Sequence, residues 1–245
     1  MKSRLSLAAA AIVLAACAGT NTAGLADAGV ATFKASTLSD QDVRTLADNA
    51  CASADAKSQI AAPNSVYGKR LAKVLAGLKD TGVPIQAKVY QTKSVNAWAM
   101  ANGCVRVYSG LMDMMSDDEV RGVIGHEIGH VALGHTKAAM QVAYTAAAAR
   151  GALAATGGAV ATLSSSQLGD LTEKLINAQF SQKQESDADD YSYDLLKKNG
   201  ANRQALVSAF DKLAKLDGGN SSIMSSHPGS KERSARIQAR LKNDK

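Results

Sequence analysis

Residues 116–132 read SDDEVRGVIGHEIGHVA and predict a helix that starts at a polar cap. Ser116 with Glu119 three residues later is a capping box, because each side chain can satisfy a backbone N–H that a helix start leaves free. Apolar residues then repeat at helical spacing: Val120, Val123, Ile124 and Ile128. The same helix carries His126 and His130 four positions apart, so both imidazoles lie on one face.

The run His126-Glu127-Ile128-Gly129-His130 has the spacing of a zinc site in a hydrolase. Two imidazoles one turn apart can bind one ion, and Glu127 lies beside them, where it can take a proton from the attacking water. A chance match is the alternative, but the capping box and the apolar stripe favour a real helix. We therefore expect one zinc ion per chain, with His126 and His130 as ligands and Glu127 as general base.

A catalytic zinc site usually has three protein ligands, so a third lies elsewhere in the chain. His135 follows His130 by five residues, whereas an HExxHxxGxxH pattern needs its third histidine six residues on and a glycine at position 133. On a continuous helix His135 would lie about 180° round from His126. We expect His135 to support the site through a cap or a hydrogen bond and not to bind the ion.

Glu185 and Asp189 are the other candidates, again four positions apart in a helical pattern. One carboxylate can bind the ion while the next, one turn along, accepts the free N–H of a ligating histidine and fixes its tautomer. The alternative is a solvated acidic face, because Asp187 and Asp190 are nearby. Paired with the upstream motif, the spacing favours Glu185 as third ligand and Asp189 as the partner of a histidine.

The N-terminus has the layout of a bacterial lipoprotein precursor. Residues 1–16 combine two cations with a short apolar run and predict a signal peptide, which ends in Leu14-Ala15-Ala16-Cys17. That ending resembles a lipobox, in which the cysteine carries lipid; an ordinary signal peptide with Cys17 incidental is the alternative. We expect a lipidated Cys17, a flexible tether over residues 17–38 and one domain over residues 39–245. Ala18 in place of Asp predicts the outer membrane, facing the periplasm.

Composition excludes several classes of protein. Three Pro, 20% charged residues and a mean hydropathy of −0.11 exclude a fibrous chain and a multi-span membrane protein. Removal of the signal peptide takes two cations from the formal charge of +6 and leaves +4, so no nucleic-acid partner is expected. Residues 142–163 are rich in Ala and Gly, but Arg150 in their middle argues against a membrane span.

Cys51 and Cys104 remain as a pair once Cys17 carries the lipid. In an oxidising compartment a disulfide between them is expected, and closing a loop of roughly fifty residues would stabilise the fold by about 4 kcal/mol. The alternative is two buried thiols too far apart to bridge.

The rest of the chain predicts a mostly helical α+β domain with a small antiparallel sheet. Strands are expected over residues 85–90, 95–100 and 104–108, with Asn102-Gly103 as a hairpin turn. Helices are expected from Ser39, around Leu71 to Leu78, from Ser116, in one long run from Leu168 through Leu196 that ends at Asn199-Gly200, and over about 202–216 and 230–243.

The combined motifs resemble the gluzincin peptidases of the HtpX and C-a-a-X prenyl protease type. The resemblance rests on the His126 to His130 run, Glu185 with Ala188-Asp189, Ser226-His227-Pro228 and Arg233. Residues 95–115 are similar, more narrowly, to the outer-membrane lipoprotein members. The resemblance implies a minigluzincin-like fold with a short sheet over the zinc helix, and Asp189 as the partner of His126.

The resemblance also implies roles outside the ligand set. His227 matches a position that contacts the substrate carbonyl and the developing oxyanion, unless it only caps the last helix. Asn96-Ala97-Trp98-Ala99 matches the edge strand on which a peptide is laid. Trp98 stands where many relatives have Phe, and the membrane-spanning helices of HtpX-like relatives are absent from the pattern.

Two functions follow as expectations. The first is a zinc endopeptidase that cleaves unfolded or misfolded envelope polypeptides, with envelope proteases or chaperones as partners. The second is a non-catalytic, chaperone-like or scaffold lipoprotein in which zinc serves structure. A water as the fourth zinc ligand would favour the enzyme, whereas a fourth protein ligand such as His135 or His227 would indicate a closed site.

Overall fold

The computed structural model describes residues 38–149, 163–216, 223 and 226–244 of the chain. Its helices are α1 Asp40–Ala56, α2 Val66–Ala76, α3 Ser109–Met114, α4 Asp117–Ala132, α5 His135–Ala149, α6 Ser165–Ile176, α7 Gln182–Lys198, α8 Gln204–Ala214 and α9 Ser230–Asn243. Its strands are β1 Gln86–Tyr90, β2 Ala97–Ala99 and β3 Cys104–Tyr108. The mostly helical α+β class is confirmed.

Several of the predicted features, and part of the Ala- and Gly-rich stretch of residues 142–163, lie outside the described residues. These are the signal peptide, Cys17, the tether up to residue 37, and residues 150–162. Among the helices that the structure describes, none combines the length and the apolar character needed to cross a membrane.

The three strands form one mixed sheet in the order β1-β3-β2. The hairpin of β2 and β3 is antiparallel, as predicted, and Gly103 in its turn has a φ of +82°. β1 pairs with β3 in parallel, which corrects the prediction of an entirely antiparallel sheet. The alternating pattern of β1 did not reveal this, because the chain passes to the far edge before the hairpin returns β3 between the two other strands.

The predicted helix from Leu168 to Leu196 is wrong, since two helices occupy that stretch. α6 ends at Ile176 with Asn177 as its C-cap, and Ser181 is the N-cap of α7, in a capping box with Gln184. The box satisfies backbone groups of a new helix, so the apolar repeat continues across a real break. The break at residues 177–181 allows α7 to take its own direction toward α4.

The sheet lies between two apolar clusters. Val105 and Val107 belong to the cluster that includes residues of α4, α7 and α8. Tyr90, Trp98 and Cys104 belong to the other cluster, with residues of α1, α5 and α6. Because side chains alternate along a strand, each face of this short sheet supplies one cluster.

α1 is fixed to the sheet by a covalent bond and by buried charge. Cys51 and Cys104 form the predicted disulfide. Arg106 in β3 is 3% exposed and pairs with both oxygens of Asp55, at 2.8 and 3.0 Å. The Tyr90 hydroxyl and the Lys88 ammonium also donate to Asp55, each at 2.7 Å. α1 is therefore an integral part of the folded domain.

α4 and α7 approach closely because glycines of α4 face α7. A Cβ atom on Gly129 would lie 3.0 Å from the carbonyl oxygen and 3.1 Å from the Cα atom of Ala188. A Cβ atom on Gly125 would lie 2.6 Å from Oγ of Ser192. This approach brings the carboxylates of α7 within reach of the histidines of α4.

Candidate active site

α4 and α7 place three predicted metal ligands around one point. The Nε2 atoms of His126 and His130 lie 3.1 Å apart. Glu185 Oε2 is 3.5 Å from His126 Nε2, and Glu185 Oε1 is 3.4 Å from His130 Nε2. All three side chains are buried. The structure therefore brings together the residues that the two i, i+4 patterns suggested.

His227 joins the same cluster from the segment before α9. Its Nδ1 atom is 3.3 Å from His126 Nε2 and 3.0 Å from Glu185 Oε1. One donor atom from each of the four side chains lies within 4.8 Å of all the others. His227 Nε2 is 3.6 Å from Oε1 of Glu127. The side chain thus lies among the ligand atoms as well as beside the predicted general base.

The donor atoms fit a divalent metal ion. In a tetrahedral site with bonds of ~2.1 Å, neighbouring donor atoms lie about 3.4 Å apart. The recorded contacts between these histidine nitrogens and the two Glu185 oxygens run from 3.0 to 3.5 Å, and one donor atom from each residue lies within 4.8 Å of all the others.

The charges at the site also fit a divalent ion. Glu127, Glu185 and Asp189 supply three negative charges and Arg233 one positive charge, all buried, which leaves −2 with the histidines in the neutral form that binds a metal. Buried charge without compensation is costly, and one divalent cation neutralises this sum.

Asp189 contacts His126 at Nδ1, the ring nitrogen that lies away from the ligand cluster. The spacing suggested such a partner for one of the histidines, and the resemblance implied His126. The Oδ1 atom of Asp189 lies 2.9 Å from His126 Nδ1, which leaves Nε2 to face the ligand cluster. Burial would raise the pKa of Asp189, but Arg233 and His126 hold that pKa at about 2. Burial and Arg233 lower the pKa of His126, whereas the Asp189 and Glu185 carboxylates raise it, with a result of about 9. Asp189 is therefore ionised at neutral pH.

His130 has a different support. Its Nδ1 atom lies 3.0 Å from Nδ1 of His135. α4 ends before His135, and Gly134, with a φ of +76°, allows a turn that brings His135 back toward His130. His135 therefore contacts a ligand histidine, in keeping with the supporting role expected for it, and does not lie opposite His126 as it would on one continuous helix. The sequence signal was Gly134 itself, since glycine commonly follows the last residues of a helix.

Phe180 covers His130 and was missed by the sequence analysis. The two rings stack with centroids 3.8 Å apart. The Phe180 ring also lies 5.6 Å from that of His227. Ser181 and Gln184 carried the available signal, because their capping box places a helix break next to Phe180. Burial lowers the pKa of His130 well below its usual range.

Glu127 has the properties of a proton acceptor. It is 3% exposed, and its Oε1 atom has no hydrogen-bond partner among the residues that the structure describes. Burial raises the pKa of Glu127, while the neighbouring His227 and His126 act in the opposite direction. A carboxylate with a raised pKa and an oxygen that accepts no hydrogen bond within the described residues is suited to accept a proton.

β2 presents a backbone edge next to α4. Tyr108 donates to the carbonyl of Asn96, and Met100 donates to that of Cys104. Because hydrogen-bonding residues alternate in an antiparallel pair, Ala97 and Ala99 turn their backbone groups away from β3. Asn96 Oδ1 accepts the outward N–H of Ala97 at 2.9 Å.

Trp98 and Asn96 differ from the two alanines of this strand. Trp98 is 4% exposed and packs in the cluster with α1, α5 and α6, on the face opposite α4. The side chain of Asn96 is also buried and turned onto its own strand. Within the part of the chain that the structure describes, the outward backbone groups left without a recorded partner are the carbonyl of Ala97 and both groups of Ala99.

Comparisons of the sequence with known proteins find relatives that cover nearly the whole chain. A family model described as Peptidase family M48 matches residues 65–241. The chain is 51% identical over 247 residues to Metalloprotease YcaL of Escherichia coli, with 98% of this chain and 97% of that protein covered. It is 52% identical over 249 residues to Metalloprotease LoiP of Escherichia coli, with coverage of 100% and 99%. Protease HtpX of Shewanella baltica is 39% identical over 61 residues, which cover 23% of this chain and 21% of that protein.

Proposed function

The chain belongs to peptidase family M48, and on that basis we propose that it is a zinc-dependent endopeptidase of the bacterial envelope. The observation that carries the proposal is the buried cluster of His126, His130 and Glu185 with Glu127 at its side. Its proposed substrates are unfolded or damaged envelope proteins. Lipid on Cys17 would hold the enzyme at the outer membrane, facing the periplasm, and the lipobox sequence supports this location.

Each residue of the site has its own role in peptide hydrolysis. Zinc held by His126, His130 and Glu185 would supply Lewis acidity, which activates water and polarises the scissile carbonyl. Glu127 takes the proton of the attacking water on Oε1 and passes it to the leaving amine. Asp189 keeps the ligating nitrogen of His126 in place.

The edge of β2 orients the substrate in this proposal. An extended peptide adds to a sheet edge through backbone hydrogen bonds, which do not depend on its sequence. The carbonyl of Ala97 and the N–H and carbonyl of Ala99 offer such an edge beside α4. This arrangement suits unfolded chains, because only they can supply an extended backbone.

His227 has two alternative roles, and they predict opposite effects on activity when its side chain is removed. Its proximity to Glu127 supports stabilisation of the oxyanion. The position of Nδ1 among the ligand atoms instead favours a fourth protein ligand, which would close the site. That second arrangement favours the other candidate function, a non-catalytic lipoprotein in which zinc serves structure.

Zinc-loaded parent, Glu127→Ala and His227→Ala proteins, assayed on an unfolded protein with the cut sites mapped by mass spectrometry, test these alternatives. The parent is expected to cleave, and Glu127→Ala to keep one zinc ion per chain and lose cleavage. His227→Ala lowers kcat by about 10²–10³ if His227 stabilises the oxyanion, and raises it if His227 closes the site. A Glu127→Ala protein as active as the parent would overturn the assignment.

The membrane anchor has its own test. Cys17→Ser removes the expected lipid attachment and leaves the sequence of residues 38–245 unchanged. We expect the parent in the outer-membrane fraction, and Cys17→Ser in the periplasmic extract or retained as the precursor. A Cys17→Ser protein that is processed and still bound to the outer membrane would contradict the lipid anchor.

A further inference from the structure

We propose that Arg233 is a positioning residue that holds Glu185 by one oxygen and offers the other oxygen to the metal. Arg233 Nη1 forms an ion pair with Glu185 Oε2 at 2.6 Å, and Oε2 has no hydrogen bond of regular geometry within the described residues. Glu185 Oε1 has the shorter contacts with the other donor atoms, 3.4 Å to His130 Nε2 and 3.0 Å to His227 Nδ1, whereas Oε2 is 3.5 Å from His126 Nε2. The inference rests on the proposed function, because it assigns the geometry of that same site.

One guanidinium engages two carboxylates of α7. Arg233 Nε and Nη2 donate to the two oxygens of Asp189 at 3.0 and 2.6 Å, while Nη1 pairs with Glu185. Glu185 and Asp189 are one helical turn apart, so the planar fork of arginine matches their spacing, whereas the single ammonium of lysine does not. Arg233 thereby links the third ligand to the residue that orients His126.

The surroundings of Arg233 fix its plane. The side chain is 6% exposed, and its guanidinium carbon lies 4.3 Å from the ring centroid of Phe210 on α8. Arg233 lies in the first turn of α9, where its N–H bonds to the carbonyl of Gly229 at 2.9 Å. A rigid helix and an aromatic face therefore set the direction from which the guanidinium reaches Glu185.

Charge compensation alone is a weaker explanation. Any buried cation would reduce the repulsion between Glu185 and Asp189. Only the fork specifies which oxygen of Glu185 is occupied and which is left for an ion. The two explanations separate in a variant that keeps the charge and loses the fork.

Arg233→Lys is that variant, and Phe210→Leu keeps Arg233 but removes the aromatic face. Arg240→Lys on the same helix is the matched control, because Arg240 forms its ion pairs with Asp190 and Asp194 at the surface of α7 and lies over the ring of Tyr193, away from the ligand cluster. Two measurements are independent of cleavage: zinc affinity by competition with a chelator, and the visible absorption of the cobalt-substituted protein. Circular dichroism confirms that each variant is folded.

Arg233→Lys is expected to weaken zinc binding by about 10- to 100-fold and to change the cobalt bands toward the weaker absorption of a higher coordination number. Phe210→Leu is expected to change both in the same direction by less, and Arg240→Lys to match the parent. Parent-like zinc affinity and cobalt bands in Arg233→Lys overturn the proposal. If Arg233→Lys does not fold, Phe210→Leu decides, and parent-like behaviour there overturns it. If these changes occur in a parent that cleaves nothing, the proposed function fails and the positioning role stands.

Discussion

Asp189 is the single residue on which the orientation of His126 depends most directly. Asp189→Asn keeps the size of the side chain but loses its charge, so His126 loses its anionic partner. We expect zinc affinity to fall by about 10- to 100-fold, measured by chelator competition. Asp187→Asn on the same helix is the control, because Asp187 is 38% exposed and pairs with Lys183. Equal losses in both variants would contradict the assignment.

At the scale of residues, the ligands were predictable because their spacing is a local property of a helix. The i, i+4 separation puts both members of a pair on one helical face, which holds for His126 with His130 and for Glu185 with Asp189. For Arg233, the sequence supplies only a match to a family motif and indicates no role at the site. Its role depends on which helices meet, and no local pattern encodes the approach of α9 to α7.

The spacing between α4 and α7 depends on Gly129, and this predicts an asymmetry between two helical glycines. Gly129→Ala places a methyl group against the backbone of Ala188, so α7 must shift by a few tenths of an ångström. We expect the cost of overpacking, about 1–3 kcal/mol, to exceed the gain of about 1 kcal/mol in helix propensity. We expect a lower unfolding midpoint in urea and weaker zinc binding, because Glu185 moves with α7.

Gly169 in α6 provides the comparison. A Cβ atom there would meet only Nζ of Lys57, at 2.7 Å, which is the flexible end of a side chain. Gly169→Ala should therefore raise the free energy of unfolding by about 0.5–1 kcal/mol and leave zinc binding unchanged. Destabilisation by both alanines alike would contradict the close approach at Gly129.

At the scale of elements, helix starts were predictable and strand direction was not. Ser39 and Ser116 carry their capping boxes in the local sequence. The pairing of β1 with β3 joins segments that are separated by the β2 hairpin, so its direction follows from the path of the chain. The helix break before Ser181 had a local signal, but the apolar repeat on both sides was stronger.

The disulfide affects the whole molecule, because it joins α1 to the sheet across 53 residues. α1 also lies outside the residues 65–241 that match the family model. Replacing both cysteines, Cys51→Ser with Cys104→Ser, should lower the free energy of unfolding by about 4 kcal/mol in the chain-entropy model. The urea midpoint measures this loss, and a reductant should lower the midpoint of the parent but not that of the double variant.

Acid should weaken the same attachment through Asp55. Burial raises its pKa, but hydrogen bonds from Arg106, Lys88 and Tyr90 lower it from 3.8 to about 2. Because the folded pKa is the lower one, ionised Asp55 stabilises the fold above about pH 4, and this contribution is lost as the pH falls toward 2. We expect a loss of about 1–2 kcal/mol from this group. Asp55→Asn should flatten the dependence of unfolding free energy on pH in that window.

The long separation between the parts of the site has a consequence for the order of synthesis. Arg233 contacts His126 across 107 residues, and His227 does so across 101. A chain that has emerged only as far as residue 200 contains His126, Glu127, His130 and Glu185, yet neither Arg233 nor His227. Since domains emerge from the N-terminus onward, a growing chain carries the reactive helix long before the groups that organise it. The arrangement around the metal therefore requires the segment from residue 226 to the end of α9, and a chain that stops before it lacks the contacts of both Arg233 and His227 with His126.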